Sequence, residues 1–457
     1  MDHTQTAENP LGYERIGKLL RGFAIPSIIA MLVSSLYNIV DQIFIGQGVG
    51  YLGNAATNVA FPLTTICMAI TLTIGIGTSA QYSLFLGRGE EDSAAKVVGN
   101  GVLMMLVFGV VYAIVAEIFL PQLLWSFGAT KDVYPYALDY CRITTIGMPL
   151  LVIMNGMSNI ARADGSPMYS MTCMIVGAVI NIILDPVFIF VLHWGVAGAA
   201  GATVIGQLIS AGIAFSYLWR FKRVELKLSY FRLSARRVGQ TIMMGMSNGL
   251  TQIAITIVQI VMNRSMTYYG ARSVYGPDIP LAASGIVMKV NSIIFSINIG
   301  LNQAMQPIVG FNYGARKFDR VKKTYAMVIA IAVTFGTIAL IIFQVFPDKV
   351  LMIFGKENEL YMEFAVLFMR TFLLLLPLSG VQMISSNFFA AIGKPVRGAV
   401  LSLTRQVFFL IPLMLILPLF FGIRGVLFAA PSADLLAFAV VLVFILYEMR
   451  SMSNEDT

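Results

Sequence analysis

The chain has 457 residues, 58% of them hydrophobic and only 12% charged, with a net charge of +8 and a mean hydropathy of +0.80. Soluble domains carry about 25% charged residues, so most of this chain must be solvated by lipid rather than water. The basic excess sits in short clusters between apolar blocks, not along one soluble face, which excludes nucleic acid as a partner and fits a positive-inside signal.

Crossing hydrocarbon takes about 20 apolar residues per helix, and irregular backbone cannot face lipid, so each apolar block predicts a transmembrane helix. A polar tail (1–18) precedes the first block, 19–46, and no cleavable signal peptide is expected there. This block carries Pro26, Tyr37 and Asp41. Proline removes a backbone donor, so Pro26 predicts either a static kink or a hinge. Blocks at 53–86 and 94–120 follow, then 133–161 with the polar points Tyr140 and Asn155. The fifth block, 167–193, holds Asn181 and Asp185, and the sixth, 196–220, holds Thr203. The basic stretch from Arg220 to Arg237 reads as a linker (221–236) between lobes at 19–220 and 237–448, with a short tail at 449–457. The second set of blocks is 237–269, 280–311, 320–346, 360–390, 396–418 and 422–448.

Internal echoes support a duplication. Asn159-Ile-Ala-Arg-Ala163-Asp-Gly165-Ser-Pro167 repeats its N-x-x-x-A-x-G-x-P pattern in Asn387-Phe-Phe-Ala-Ala391-Ile-Gly393-Lys-Pro395. Gly75 and Gln81 pair with Gly300 and Gln306, and Gly195-Val-Ala-Gly198 pairs with Gly422-Ile-Arg-Gly425. The expected fold is all-α integral membrane: twelve helices in two pseudo-symmetric six-helix lobes around a central cavity, an arrangement suited to alternating access. Arg15, Lys18, Arg88, Arg162, Lys222, Arg316, Lys394 and Arg450 fall on one side. Little more than Lys131, Arg272, Lys349 and Lys356 falls on the other, which places both termini in the cytoplasm.

A carboxylate at mid-bilayer costs roughly 2.5–3.5 kcal/mol on insertion scales, so each one needs a reason. Asp41 and Asp185 reach similar depth from the same side, and Tyr37 and Asn181 each stand one turn away on the same face. Two such faces meeting, with the Thr203 hydroxyl, would suit a shared proton or an oxygen-held Na⁺. The bland reading is that each aspartate bonds a neighbouring amide or main-chain group. Arg405 and Asp434 fall near mid-depth of the eleventh and twelfth blocks and read as a structural ion pair, with a second coupling site as the sharper alternative. Asn155, Tyr140, Asn248, Gln252, Gln259, Gln303 and Gln306 serve either helix packing or cavity lining. Cys67, Cys141 and Cys173 have no metal-ligand spacing and read as small core residues.

The segments Val40-Asp41-Gln-Ile-Phe44-Ile45-Gly46 and Asn181-Ile-Ile-Leu-Asp185-Pro186, with the Gly-x-Pro elements at Pro167 and Pro395, resemble the multidrug and toxic compound extrusion (MATE) family, and within it the bacterial multidrug exporters. The resemblance implies a cation-coupling site at Asp41, Asn181, Asp185 and Thr203, a hinge at Pro26, and a substrate cavity near Tyr37, Tyr140, Asn155 and Met174. It also implies an antiporter in the bacterial plasma membrane that exchanges small organic cations for inward H⁺ or Na⁺, with no cofactor. A monomer is expected. Some members carry acidic residues in the seventh and tenth helices. Here the seventh block offers only Gln252 and Gln259 and the tenth only Glu363, so coupling is expected in the N-terminal lobe. A flippase for a lipid-linked oligosaccharide is the alternative, and it would call for intramembrane Arg or Lys clusters. A membrane enzyme would need clustered His, Asp or Glu, whereas the only histidines are His3 and His193.

Overall fold

The computed structural model describes residues 9–127, 129, 131–352 and 359–455; Lys356 and His3 lie outside them. The described residues are almost wholly helical and include no strand. The first six spans are α1 (Ile16–Gly48), α2 (Tyr51–Gly87), α3 (Glu91–Ile118), α4 (Tyr134–Ala163), α5 (Pro167–Pro186) and α6 (Gly195–Ser216). The second six are α7 (Ala235–Gly270), α8 (Asp278–Gly314), α9 (Phe318–Val345), α10 (Glu359–Phe372 with Leu376–Ala391), α11 (Pro395–Leu403 continuing into Ile411–Phe421) and α12 (Ile423–Glu455). Among the described residues, eleven helices are long and apolar enough to cross a membrane, and α10 makes a twelfth when its two segments, bent by 49°, are taken as one span. Exposed Ile, Leu, Val and Phe cover the outside of the bundle, the reverse of a water-soluble surface.

The helix ends follow local chemistry. Gly165 and Gly393 occupy the same place in the repeated element, and both have positive φ (85° and 79°). That conformation is nearly free for glycine and costly with a Cβ. Pro167 and Pro395 then open α5 and α11 at positions where a missing N–H costs nothing. Gly195 and Gly422, the third echo, also share positive φ (57° and 59°). The duplication is therefore visible in backbone angles as well as in letters. Helix α1 runs unbroken through Pro26.

The two halves meet along a seam of bare backbone between α2 and α7 and between α1, α2 and α8. A Cβ on Gly77 or Gly245 would run into the main chain of Thr241 or Thr73, and one on Gly314 into that of Leu84. Gln81 Nε2 donates to Thr241 Oγ1 (3.3 Å) and Gln306 Nε2 to Ser79 Oγ (2.8 Å) across this seam. Each of these contacts lies in the half of its helix nearer the basic linker, so the lobes are closed together on the linker side.

The segment before α1 adds a clamp on that side. Asn312 Nδ2 donates to the Leu11 carbonyl (2.9 Å), Lys317 Nζ to that of Gly12 (2.9 Å), and Arg320 Nη2 to those of Leu11 (3.0 Å) and Glu14 (2.7 Å). Arg320 Nε in turn donates to Asn312 Oδ1 (2.9 Å), which locks the two donors together. Arg320→Ala should loosen residues 9–14, because each hydrogen bond from a charged donor contributes roughly 1.5–3 kcal/mol. Hydrogen exchange of the main-chain amides at 9–14 would accelerate; unchanged protection would show that the clamp is decorative.

Candidate functional site

The N-terminal lobe brings together acids from two helices. Asp41 on α1 is 9% exposed and Asp185 on α5 is fully buried, and their carboxyl groups stand within hydrogen-bond reach of each other. Asn181, one turn before Asp185, donates from Nδ2 to an Asp185 carboxylate oxygen (3.2 Å). In that amide orientation its oxygen accepts from Thr203 Oγ1 (3.1 Å) and from the Thr203 main-chain N–H (3.2 Å). Helix α6 thus fixes the amide, and the amide fixes the acid. Asp41 Oδ1 is buried with no hydrogen-bond partner, which leaves an acceptor free inside the lobe. Immediately after Asp185-Pro186 the helix widens into a π turn over Val187–Val191. Such widenings recur where a helix is adapted to a site.

A small cavity of about 40 Å³ adjoins the acids, lined by Tyr37, Asn155, Met174, Asn181, Thr203 and Gln207 among others. Tyr140 is not on that wall; it packs beside the Ile45 cluster, within electrostatic range of Asp41, Tyr37 and Asp185. Pro26 is buried on α1, fifteen positions before Asp41. The structure brings Asp41, Asn181, Asp185, Thr203 and Tyr37 into one locality and leaves Pro26 apart from it. No group of three His, Cys, Asp or Glu suited to a metal occurs among the described residues.

A larger cavity of about 350 Å³ is walled mainly by the second half, with Leu72 and Ile76 contributed by α2. Asn248, Gln252, Gln259, Gln303 and Gln306 all stand on its wall, so these polar points line a cavity. Arg405 lies on the same wall, within a second π segment, Thr404–Leu410. Its Nε donates to Asp434 Oδ1 at 2.5 Å, and Asp434 is 3% exposed behind it. Removing one partner of such a buried pair typically costs about 3–5 kcal/mol, because the other charge is left unpaired.

Two further buried acids escaped sequence reasoning. Asp164, in the turn between α4 and α5, accepts from Tyr82 Oη (2.5 Å), Tyr217 Oη (2.7 Å) and the Lys222 N–H (2.8 Å). Burial holds this carboxyl above the ordinary range, with those donors and Arg223 opposing. Arg162, which the charge sorting placed among loop residues, is itself buried and donates to Asn159 Oδ1 (3.0 Å) and Ser170 Oγ (2.9 Å). In the second half, Glu448 on α12 accepts from Lys394 and from Arg397 (2.5 Å) at the turn that opens α11. Each lobe thus pins the same turn to the end of its last helix through one buried acid. The only sequence signal was an acid or base beside the repeated Gly-x-Pro.

The family model MatE matches residues 26–187 and 248–416. Among curated proteins, the multidrug export protein MepA of Staphylococcus haemolyticus (strain JCSC1435) is 26% identical over 448 residues, covering 96% of this chain and 95% of its own. MepA of Staphylococcus aureus (strain MSSA476) is 24% identical over 441 residues with the same coverage. Among solved structures, an outward-facing multidrug resistance MATE family transporter of the MOP superfamily superposes with a TM-score of 0.90 at 23% identity, covering 96% of this chain and 97% of that one. A MOP superfamily transporter from Pyrococcus furiosus gives a TM-score of 0.90 at 23% identity, covering 99% of each chain.

Proposed function

Because the chain belongs to the MatE family of multidrug and toxic compound extrusion transporters, we propose that it is a secondary antiporter exporting lipophilic, mostly cationic small molecules in exchange for an inward cation. It resides in the bacterial plasma membrane with both termini in the cytoplasm. The observation that carries this reading is the contact between the Asp41 and Asp185 carboxyls inside the lobe.

Two carboxyls in contact away from water do not both stay ionised unless a cation lies between them or a proton is shared. We take the cation to be a proton, which two carboxyls in contact can share without any further oxygen ligand. With the linker side cytoplasmic, the seam is closed toward the cytoplasm and the cavities face outward, the state in which protons enter and cargo leaves. Protonation of the pair removes the negative charge that holds cationic cargo and alters the packing of α1 against α5, with the region around Pro26 as the hinge. The lobes then part along the seam, the proton is released inside, and new cargo binds to the ionised pair.

A flippase for polyanionic lipid-linked cargo is disfavoured. Such cargo would need a group of basic side chains on the cavity wall, and Arg405 is the one charged residue among those lining it.

The test is ethidium efflux from proteoliposomes under a pH gradient and, separately, a Na⁺ gradient. Efflux driven by the pH gradient alone is expected. Efflux driven by Na⁺ alone would replace the proton in this scheme, and none under either gradient from folded protein would remove drug export.

A further inference from the structure

The larger cavity carries no carboxylate on its wall among the described residues and one cation, Arg405, whereas no charged residue lines the small N-terminal cavity, where Asp185 is reached only through Asn181. A guanidinium has five N–H donors. Asp434 engages Nε from behind, and the remaining donors are left for the cavity that Arg405 lines. Around it stand eleven Asn and Gln side chains, from Asn248 on α7 to Gln406 on α11. Several have buried polar atoms with no partner in the protein: Asn248 Nδ2, both side-chain polar atoms of Asn302, and Gln303 Oε1. Buried amides are normally satisfied, so unpaired ones at a cavity wall point to a ligand that would complete them. Met262, Met288 and Phe295 supply apolar surface on the same wall. A cavity of about 350 Å³ falls within the size of small-molecule sites, which span about 300–1,000 Å³.

We infer that this cavity is a second cargo site, selective for molecules that join an aromatic or aliphatic body to a carboxylate, with Arg405 as the carboxylate anchor and the amides as adaptable partners for the rest of the polar head. The backing by Asp434 matters for release. An Arg already paired holds its ligand less tightly than a bare buried cation would, so the site loads cargo without trapping it. The inference rests on the transport reading and extends the cargo range from cations to amphipathic acids and zwitterions.

The test uses the purified full chain and a matched pair of probes, 1-naphthaleneacetate and its neutral amide, by isothermal titration calorimetry. The acid should bind at least about tenfold more tightly than the amide, the size expected of a charge-assisted hydrogen bond. Arg405→Gln should erase that preference. Because this variant leaves Asp434 buried and unpaired, Arg405→Gln/Asp434→Asn removes both charges and should behave in the same way without the folding cost. Arg405→Lys should retain part of the preference. Equal affinities in the wild type, no binding of either probe to folded protein, or a preference surviving in the double variant would each overturn the inference. Ethidium efflux by the wild type is scored separately. Efflux without acid preference leaves export standing and removes the second site, whereas acid preference without efflux does the reverse.

Discussion

Asp41→Asn is expected to reach the membrane, fold normally and lose gradient-driven efflux, with ethidium release falling to the passive leak of protein-free liposomes. The substitution keeps the size of the side chain and its capacity to hydrogen-bond, and it removes only the proton that can come and go. Structural damage is not expected, because taking one acid from a pair in contact relieves like-charge repulsion rather than creating an unpaired buried charge. Asp185→Asn should have the same phenotype, since a proton shared between two carboxyls in contact is lost when either one becomes an amide. Thermal stability in detergent checks the fold, and proteoliposome efflux checks the function. Wild-type efflux by Asp41→Asn would take this residue out of the coupling mechanism.

Gly245→Leu should arrest the cycle from the opposite direction. A Cβ at this position would stand 2.6 Å from the carbonyl carbon of Thr73 and 2.8 Å from its Cα. Both atoms are main chain, so no side chain can swing aside, and α2 and α7 must separate for the residue to fit. The variant is expected to populate the state open on the linker side and to transport at close to zero. Gly239→Leu is the matched control on the same helix, because nothing lies within 4 Å of its added Cβ. Labelling reports the state directly. Ser79 is fully buried at the seam beneath Gln306, so Ser79→Cys should be protected in the parent chain and reactive from the linker side once Gly245→Leu is added. The natural cysteines Cys67, Cys141 and Cys173 are buried and give a low background. Equal protection of Ser79→Cys in both backgrounds would show that the seam does not gate the cavity.

How much of this was readable in the letters depends on the physical origin of each feature. The spans were readable because lipid imposes a length and an apolarity that few other forces do. Asp41 and Asp185 were readable as a pair because a carboxylate inside an apolar block is costly, and equal depth from one side is simple helix arithmetic. The large cavity was not. An Asn or Gln turned toward a neighbouring helix and one turned toward a cavity both avoid lipid, so Asn248 and Gln252 look alike whichever role they have. Asn291, Asn298, Asn302, Gln382 and Gln406 carry the same ambiguity. The burial of Asp164 and Arg162 was missed because residues beside a turn look solvent-facing until tertiary packing covers them. The break in α10 at 373–375 and the π segments in α5 and α11 leave no periodic trace, since each displaces the pattern by a residue or less of helical phase.

The clamp at the start of the chain has a consequence of another kind. Asn312, Lys317 and Arg320 grip only main-chain oxygens, those of Leu11, Gly12 and Glu14. Every residue type offers the same oxygen, so the clamp does not register the identity of the side chains it holds. It registers distance, counted back from the first turn of α1 at Ile16. Evolution is therefore free to respell this segment and constrained in its length. One inserted residue ahead of α1 would slide every carbonyl past its donor, while Tyr13 or Glu14 could be exchanged with the grip intact.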